Sequence, residues 1–133
     1  MADTTAFELV SPERLLMSQD VEMVIVPGAE GNIGVLARHA PMISTVRPGV
    51  IEIFGTRSAE AERVFVAGGF AEVTPDRCTV LAEEAVPVSD LDRSEIEQSI
   101  KDLREDLEDA KEPAERTAIE ARIVVTQAKL AAI

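Results

Sequence analysis

Composition changes abruptly along the sequence near residue 88, and this break constrains the fold more than any single motif. All seven glycines and all four phenylalanines lie before it, whereas all three lysines lie after it. Glycine serves the tight turns between short strands, and the segment after residue 88 shows the apolar period of a helix. The sequence therefore predicts a β domain over residues 1–88 and a helical segment over residues 89–133.

Short apolar runs separated by turn residues fill the first segment. Their spacing favours an antiparallel β-sandwich over alternating strand and helix units; the turn signals are Pro27-Gly28, Pro48-Gly49, Gly68-Gly69 and Pro75-Asp76. The unbroken apolar run 64–67 indicates a strand that is buried on both faces. Strands are expected over residues 6–10, 14–26, 34–36, 43–46, 50–54, 63–67, 70–74 and 78–82.

Residues 21–41 are predicted to form a strand, a turn, a second strand and a proline-ended loop. The β-branched run 24–26 suits a strand, Pro27-Gly28 breaks it, and Gly31-Asn32 tolerates the positive φ of a tight turn. The three glycines of this stretch are spaced by three and match no phosphate-binding pattern. They are interpreted as turn residues, and no cofactor is expected.

The second segment is predicted to form an antiparallel helical hairpin. Its first apolar seam has alternating intervals of four and three, at Ile96, Ile100, Leu103, Leu107 and Ala110. Pro113 ends this helix and opens the next, whose seam has the same intervals, at Ala114, Ala118, Ala121, Val125, Ala128 and Ala132. The two seams are expected to face each other. Alanine buries little area, so the hairpin should be weakly held and able to open.

The net charge of the protein excludes several partners. Lys plus Arg number 13 against 25 Asp plus Glu, a formal net charge of −12, which repels nucleic acid and anionic membrane surfaces. The amino terminus lacks the pattern of a secretion signal, and no apolar run approaches the roughly 20 residues of a membrane helix. Membrane association is therefore expected only through another protein. Cys78 is the one cysteine, so it is expected to be a buried strand residue outside any internal disulfide.

Candidate catalytic or metal-binding residues are sparse. His39 is the one histidine and lacks a Ser, Cys or second His at a suggestive spacing, so it is interpreted as a loop residue hydrogen-bonded locally. Glu83 and Glu84 resemble a carboxylate pair, but neighbouring strand residues point to opposite faces, and the pair is interpreted as a solvated strand end. No catalytic residue and no metal site is expected. Two alternatives stay open. One is a stand-alone binding or scaffolding module whose sandwich holds a small ligand and whose helices dimerise, and the other is an enzyme without a recognisable constellation of catalytic residues.

Four motifs in one order resemble those of a known family. They are SPE at residues 11–13, GAEGNIGVLARHAP at 28–41, RPG at 47–49 and VAGGFAEV at 66–73. With an acidic composition and a helical tail, this order resembles the epsilon subunit of rotary F-type ATP synthases. The resemblance covers nearly the whole sequence.

The resemblance implies a non-catalytic rotor subunit in the central stalk of a proton-translocating complex. The sandwich would contact the gamma subunit and the c-ring. The hairpin would either lie folded against the sandwich or extend along gamma toward the alpha and beta subunits, where it would hinder ATP hydrolysis. The protein would be peripheral, on the cytoplasmic side of the bacterial inner membrane, and not an obligate homo-oligomer. The implied c-ring contacts are Glu30, Gly31, Asn32, Arg38, His39, Ala40 and Pro41, and the implied gamma contact is Ser11.

The same resemblance implies weak nucleotide binding. Some family members bind ATP through a Leu/Ile-Asp pair followed, after two residues, by Arg and Ala. Here Leu91-Asp92 is followed at those positions by Glu95-Ile96. A carboxylate in place of the cation repels phosphate, so negligible ATP binding is expected.

Overall fold

In a computed structural model, which describes residues 3–56 and 58–133, two five-stranded sheets are followed by two helices. The predicted β-sandwich and helical hairpin are thus confirmed. The strands are β1 (Thr5–Val10), β2 (Leu15–Val21), β3 (Met23–Gly28), β4 (Gly31–Leu36), β5 (Met42–Thr45), β6 (Gly49–Phe54), β7 (Glu62–Ala67), β8 (Phe70–Val73), β9 (Arg77–Leu81) and β10 (Glu84–Pro87), and the helices are α1 (Arg93–Asp109) and α2 (Pro113–Ala131).

The first sheet has the strand order β2-β1-β9-β8-β5 and the second has the order β10-β7-β6-β3-β4. Neighbouring strands are antiparallel with one exception, since β1 and β9 run parallel. The predicted antiparallel sandwich therefore contains one parallel pair. The polypeptide passes between the two sheets several times before β9 forms, so β9 does not directly follow β1 or β2 and can lie beside β1 in the same direction.

The core lies between the sheets and follows the period of two along each strand. In β1, for example, Thr5, Phe7 and Leu9 are buried while the residues between them are half-buried. The buried alternation continues in β6 with Ile51 and Ile53. Cys78 is fully buried in this core, as predicted, and burial raises the pKa of its thiol to about 11.

Strand β7 is buried on both faces, as its apolar run predicted. Val64 and Val66 belong to the core between the sheets, whereas Phe65 and Ala67 belong to a second cluster with Ala132 near the end of the sequence. The helical segment therefore covers the outer face of the second sheet at β7.

The strands differ from the predictions at several points, and β4, for example, begins at Gly31 and not at residue 34. The run 14–26 is two strands rather than one, because the backbone passes from the first sheet to the second at Glu22, whose amide donates to the carbonyl of Phe54 at 3.0 Å. Strand β3 continues through Pro27 to Gly28, so the turn lies at residues 29–30 and not at Gly31-Asn32. Strand β10 was not predicted at all.

Helix α1 is capped by the side chain of Asp92. The backbone amide of Glu95 donates to the Asp92 carboxylate at 3.1 Å, which satisfies one of the free donors of the first turn. Pro113 is in the first turn of α2, where its missing amide hydrogen costs nothing. Within the described residues, neither helix has the length and apolarity needed to span a bilayer.

The alanine seam of α2 is not the surface that meets α1. Half-buried Ile119, Ile123 and Leu130 occupy a face roughly 150° around the helix from the alanines. Thr126 shares that face and lines a groove beside Ile96 and Leu103 of α1. The larger aliphatic residues of α2 thus share the face that carries Thr126, and their partial burial removes more apolar area from water than alanine would.

The predicted seam residues consequently have different environments. In α1, Ile96 and Ile100 are buried and Leu103 and Leu107 are half-buried. In α2, Val125 and Ala128 pack against the Phe65 cluster of the sandwich. The expectation that the α2 seam faces α1 is wrong for these two residues, and it is also wrong for three exposed alanines, Ala114, Ala118 and Ala121.

Candidate functional site

Apolar residues form a line across the outer face of the first sheet. The strand register places Leu15 opposite Val10, Val10 opposite Leu81, and Leu81 opposite Phe70. Leu15 and Phe70 are 56% and 46% exposed, and Ile43 on the adjacent edge strand is 72% exposed. We call these five residues the apolar row; they are Val10, Leu15, Ile43, Phe70 and Leu81. Contiguous exposed apolar residues on a sheet mark a surface for another protein.

Ser11 lies next to one end of the apolar row. It directly follows Val10 and forms the tight turn between β1 and β2, in which its amide donates to the carbonyl of Arg14 at 2.9 Å. Its hydroxyl also donates to that carbonyl, at 3.2 Å. The residue for which a gamma contact was implied is thus held rigidly beside this exposed surface.

The tip of the β3–β4 hairpin lies at the same end of the sandwich as Phe70. Thr45 of β5 is opposite Phe70, and its carbonyl accepts from the amide of Ala29 at 2.9 Å. The tip residues Glu30, Gly31 and Asn32 are exposed, and Gly31 has a φ of +142° that side chains rarely allow.

Arg47 holds this tip in place. One guanidinium nitrogen donates to the carbonyl of Gly28 at 2.5 Å, and another donates to the side-chain oxygen of Asn32 at 2.7 Å. The Arg47 amide also donates to the carbonyl of Pro27 at 2.9 Å. Asn32 therefore serves as an acceptor within the tip, which restricts the conformations of the loop.

The second loop for which a c-ring contact was implied lies at the opposite end of β4. Arg38 has a φ of +62°, its amide donates to the carbonyl of Pro75 at 2.8 Å, and its guanidinium is paired with Asp3. His39 Nδ1 lies 2.6 Å from the carbonyl oxygen of Ala40, the local hydrogen bond expected of a loop histidine. Ala40 and Pro41 are exposed. The two loops are therefore separated by roughly 17 Å, the length of β4, and do not form one compact patch.

Glu84 joins the sandwich to the helical hairpin. Its carboxylate accepts from Lys129 Nζ at 2.5 Å and from Arg122 Nη1 at 3.0 Å. Partial burial raises the pKa of Glu84, but the hydrogen bonds and charges of Lys129 and Arg122 outweigh it, so the pKa lies below its usual value. The interpretation of Glu84 as a solvated strand end is therefore wrong.

Glu83 and Glu84 have different surroundings, because adjacent strand residues point to opposite faces. Glu83 is exposed beside Gly68, where a built Cβ would lie 2.6 Å from its carboxylate, whereas Glu84 faces α2. The sequence contains no local signal of the contact between Glu84 and α2, because the partners of Glu84 lie 38 and 45 residues away.

A groove of about 480 Å³ runs between the helices. One wall carries side chains of the same α1 stripe, Asp92, Glu95, Ser99, Asp102 and Asp106. The opposite wall carries Arg122 and Lys129, and Glu84 already engages both cations. A triphosphate entering this groove would therefore meet these carboxylates, while Arg122 and Lys129 are already paired with Glu84. Among the described residues, no cluster of three or more potential ligands could hold a metal ion.

Family models match most of the sequence. Residues 4–88 match the model for the beta-sandwich domain of the ATP synthase Delta/Epsilon chain, and residues 92–133 match the model for the C-terminal domain of the ATP synthase epsilon chain.

Curated relatives have the same description. The ATP synthase epsilon chain of Rhodospirillum centenum is 60% identical and aligns with 98% of this chain and 92% of the relative. That of Rhodospirillum rubrum is 49% identical, with 99% of this chain and 98% of the relative covered. Both are named as a subunit of the complex and not as its catalytic subunit.

Solved structures show the same fold. One subunit of the Euglena gracilis mitochondrial ATP synthase, in an assembly described as OSCP/F1/c-ring, superposes with a TM-score of 0.83 at 22% identity, covering 96% of this chain and 80% of that subunit. A subunit of the Tetrahymena thermophila mitochondrial ATP synthase, in a structure of its central stalk and c-ring, superposes with a TM-score of 0.63 at 12% identity, covering 96% of this chain and 97% of that subunit. With both family models matched and a relative 60% identical across nearly its whole length, this chain belongs to the family of ATP synthase epsilon chains.

Proposed function

We propose that the protein is a rotor subunit in the central stalk of a proton-translocating F-type ATP synthase. It couples the catalytic head to the c-ring and restrains ATP hydrolysis through its C-terminal helices, without chemistry of its own. Support comes from the family membership and from the structural neighbours, whose assemblies are described as F1/c-ring and central stalk/c-ring. In this proposal residues 1–88 provide the assembly contacts and residues 89–133 provide the regulation.

The observation that carries the proposal is the apolar row on the outer face of the first sheet. We assign the gamma subunit to this face. The helices pack over the outer face of the second sheet at Phe65 and Ala67, so the first sheet keeps an exposed apolar face while the hairpin is folded. Ser11 borders the row, which supports assigning the implied gamma contact to the edge of the same surface.

The c-ring contact is assigned to the tip residues Glu30, Gly31 and Asn32. Loops on a rigid sheet make good contact surfaces, and Arg47 holds this one through Gly28 and Asn32. The loop 38–41 joins the same contact only if the sandwich lies with β4 along the ring, because the two loops are at opposite ends of that strand.

The proposed location follows from these contacts. The subunit reaches the membrane through the c-ring alone, on the cytoplasmic side of the bacterial inner membrane. A net charge of −12 disfavours direct binding to anionic lipid or nucleic acid. Neither assembly into the stalk nor restraint of hydrolysis needs a second copy of the protein. The extended hairpin would reach the alpha and beta subunits.

Co-expression with the gamma subunit of the same organism tests the gamma contact. Phe70→Asp places a charge in the apolar row and should abolish the complex on gel filtration. Val124→Asp is the matched control, because Val124 is 56% exposed but lies on α2, and it should leave the complex intact. A wild-type protein that elutes alone, as a monomer or a dimer, supports the stand-alone module instead, and an intact complex with Phe70→Asp places gamma on another surface.

A further inference from the structure

The apolar contact between the hairpin and the sandwich is small. From α2 and the residue after it, the side chains involved are Val125, Ala128 and Ala132, and they lie in one cluster with Phe65 and Ala67 of β7 and Val50 of β6. Two of the three residues on the helical side are alanines, which bury little area and so contribute little to association. Polar contacts at this junction therefore have a large influence on whether the hairpin stays on the sandwich.

Glu84 provides the charged contact at the junction. Its side chain is 27% exposed and lies between Arg122, which is 52% exposed, and Lys129, which is 13% exposed. An ion pair that is shielded from water is weakened less by solvent than a surface pair. The pair with Lys129 is thus the stronger of the two candidates for holding α2 in place.

The Lys129 ammonium is also held by a second strand. It lies 5.8 Å from the centroid of the Phe65 ring, within the range of a cation–π interaction. Glu84 of β10 and Phe65 of β7 thus bind the same cation from two neighbouring strands. With the charge of Glu84 removed, Lys129 would be a largely buried cation without this carboxylate partner, which favours its return to water.

We propose that Glu84, Arg122 and Lys129 form a clasp that sets how much of the hairpin is docked on the sandwich. All three residues of the clasp are in one copy of the protein, so docking of the hairpin is measured on the isolated protein. Its consequence for ATP hydrolysis rests on the proposed regulatory function, so the two claims are tested separately.

The test measures the distance between spin labels on full-length protein by pulsed electron resonance. Asp76→Cys places one label on the sandwich and Lys111→Cys places the other at the turn between the helices. Both positions are exposed, whereas the native Cys78 is fully buried. Glu84→Gln should raise the ratio of undocked to docked hairpin roughly tenfold, since it removes two charge-assisted hydrogen bonds.

Glu83→Gln is the matched control, because it removes the same charge from the neighbouring exposed residue. Its distance distribution should equal that of the wild type. Lys129→Gln gives an independent test if Glu84→Gln does not fold, and it should also increase the undocked population. Wild-type distributions in both clasp variants would overturn the proposal.

A second measurement separates the clasp from the regulatory function. ATP synthase containing Glu84→Gln should hydrolyse ATP at a rate different from that of the complex with Glu83→Gln. If the label distances change while hydrolysis does not, the clasp stands and the regulatory role of the hairpin fails.

Discussion

A Cβ atom built on Gly69 would lie 1.7 Å from the carbonyl oxygen of Leu81. Gly69 also has a φ of +89°, a conformation that only glycine adopts without strain. The β7–β8 turn is therefore compatible with glycine alone at this position, and the turn aligns Phe70 with Leu81 in the apolar row.

Gly69→Ala should consequently destabilise the protein strongly. Backbone strain and the clash with Leu81 are expected to lower the free energy of unfolding by about 2 kcal/mol or more, measured by urea denaturation. Gly34→Ala is the matched control, since a Cβ there meets nothing within 4 Å, and it should change stability by less than about 1 kcal/mol. Equal effects of the two variants would contradict this account of the turn.

The stability of the protein should contain a pH-dependent contribution from Glu84. Lys129 and Arg122 hold the folded-state pKa of this carboxyl below its ordinary value. Its contribution is therefore complete above the unfolded pKa and is lost as the pH falls through the lowered folded pKa. Arg122 and Lys129 of α2 face this carboxylate. The contribution of the neighbouring exposed Glu83, beside Gly68, is measured separately with Glu83→Gln.

The measurement compares urea unfolding of the wild type and of Glu84→Gln from about pH 6 to about pH 3. The difference in unfolding free energy between the wild type and Glu84→Gln should be largest at the highest pH of this range and should shrink as the pH falls. A difference that grows as the pH falls would mean that Glu84 is not stabilised by its cationic partners.

Cys78 should resist alkylation in the native protein. Its side chain is fully buried, and burial raises its pKa to about 11, so the reactive thiolate is scarce at neutral pH. Iodoacetamide should modify it only in denaturant, as followed by mass spectrometry. Rapid modification without denaturant would show that the sandwich opens locally at β9.

Isolated protein should bind ATP negligibly. Glu95 lines the groove between the helices together with other α1 carboxylates, and Glu84 engages Lys129 and Arg122 on the opposite wall. Like charges near the phosphates are unfavourable by about 1 kcal/mol or more. Titration calorimetry with and without Mg²⁺ should show no saturation. Saturable binding at cellular ATP concentrations, strengthened by Glu95→Arg, would show that the groove is a nucleotide site.

The sequence predicted the two architectures because their signals are local. Turn residues and alternation identified most strands, and the apolar run over β7 identified its burial on both faces. The passage between sheets at Glu22 has no such signal, since the residues around it favour a strand on either side. Alternation also cannot show that β1 and β9 pair in parallel, because that depends on the order of the strands.

The helices illustrate the limit of periodicity. Two stripes of α2 have helical spacing. Only the three-dimensional structure shows that Ile119, Ile123 and Leu130 are half-buried and that Val125 and Ala128 lie on the sandwich. Similarly, the adjacent Glu83 and Glu84 are chemically identical in the sequence. Their different surroundings arise from contacts between β10 and α2 that are distant in sequence.

Truncation after Val88 tests the central claim most directly, that the sandwich assembles the subunit into the stalk while the helices restrain hydrolysis. The measurement is the ATP hydrolysis rate of ATP synthase containing residues 1–88, compared with that of the complex containing the full-length protein at equal occupancy of gamma. We expect the truncated protein to be soluble and to bind gamma through the apolar row, with hydrolysis raised. A truncated protein that does not fold, or a complex that assembles fully but hydrolyses ATP no faster, would contradict the account.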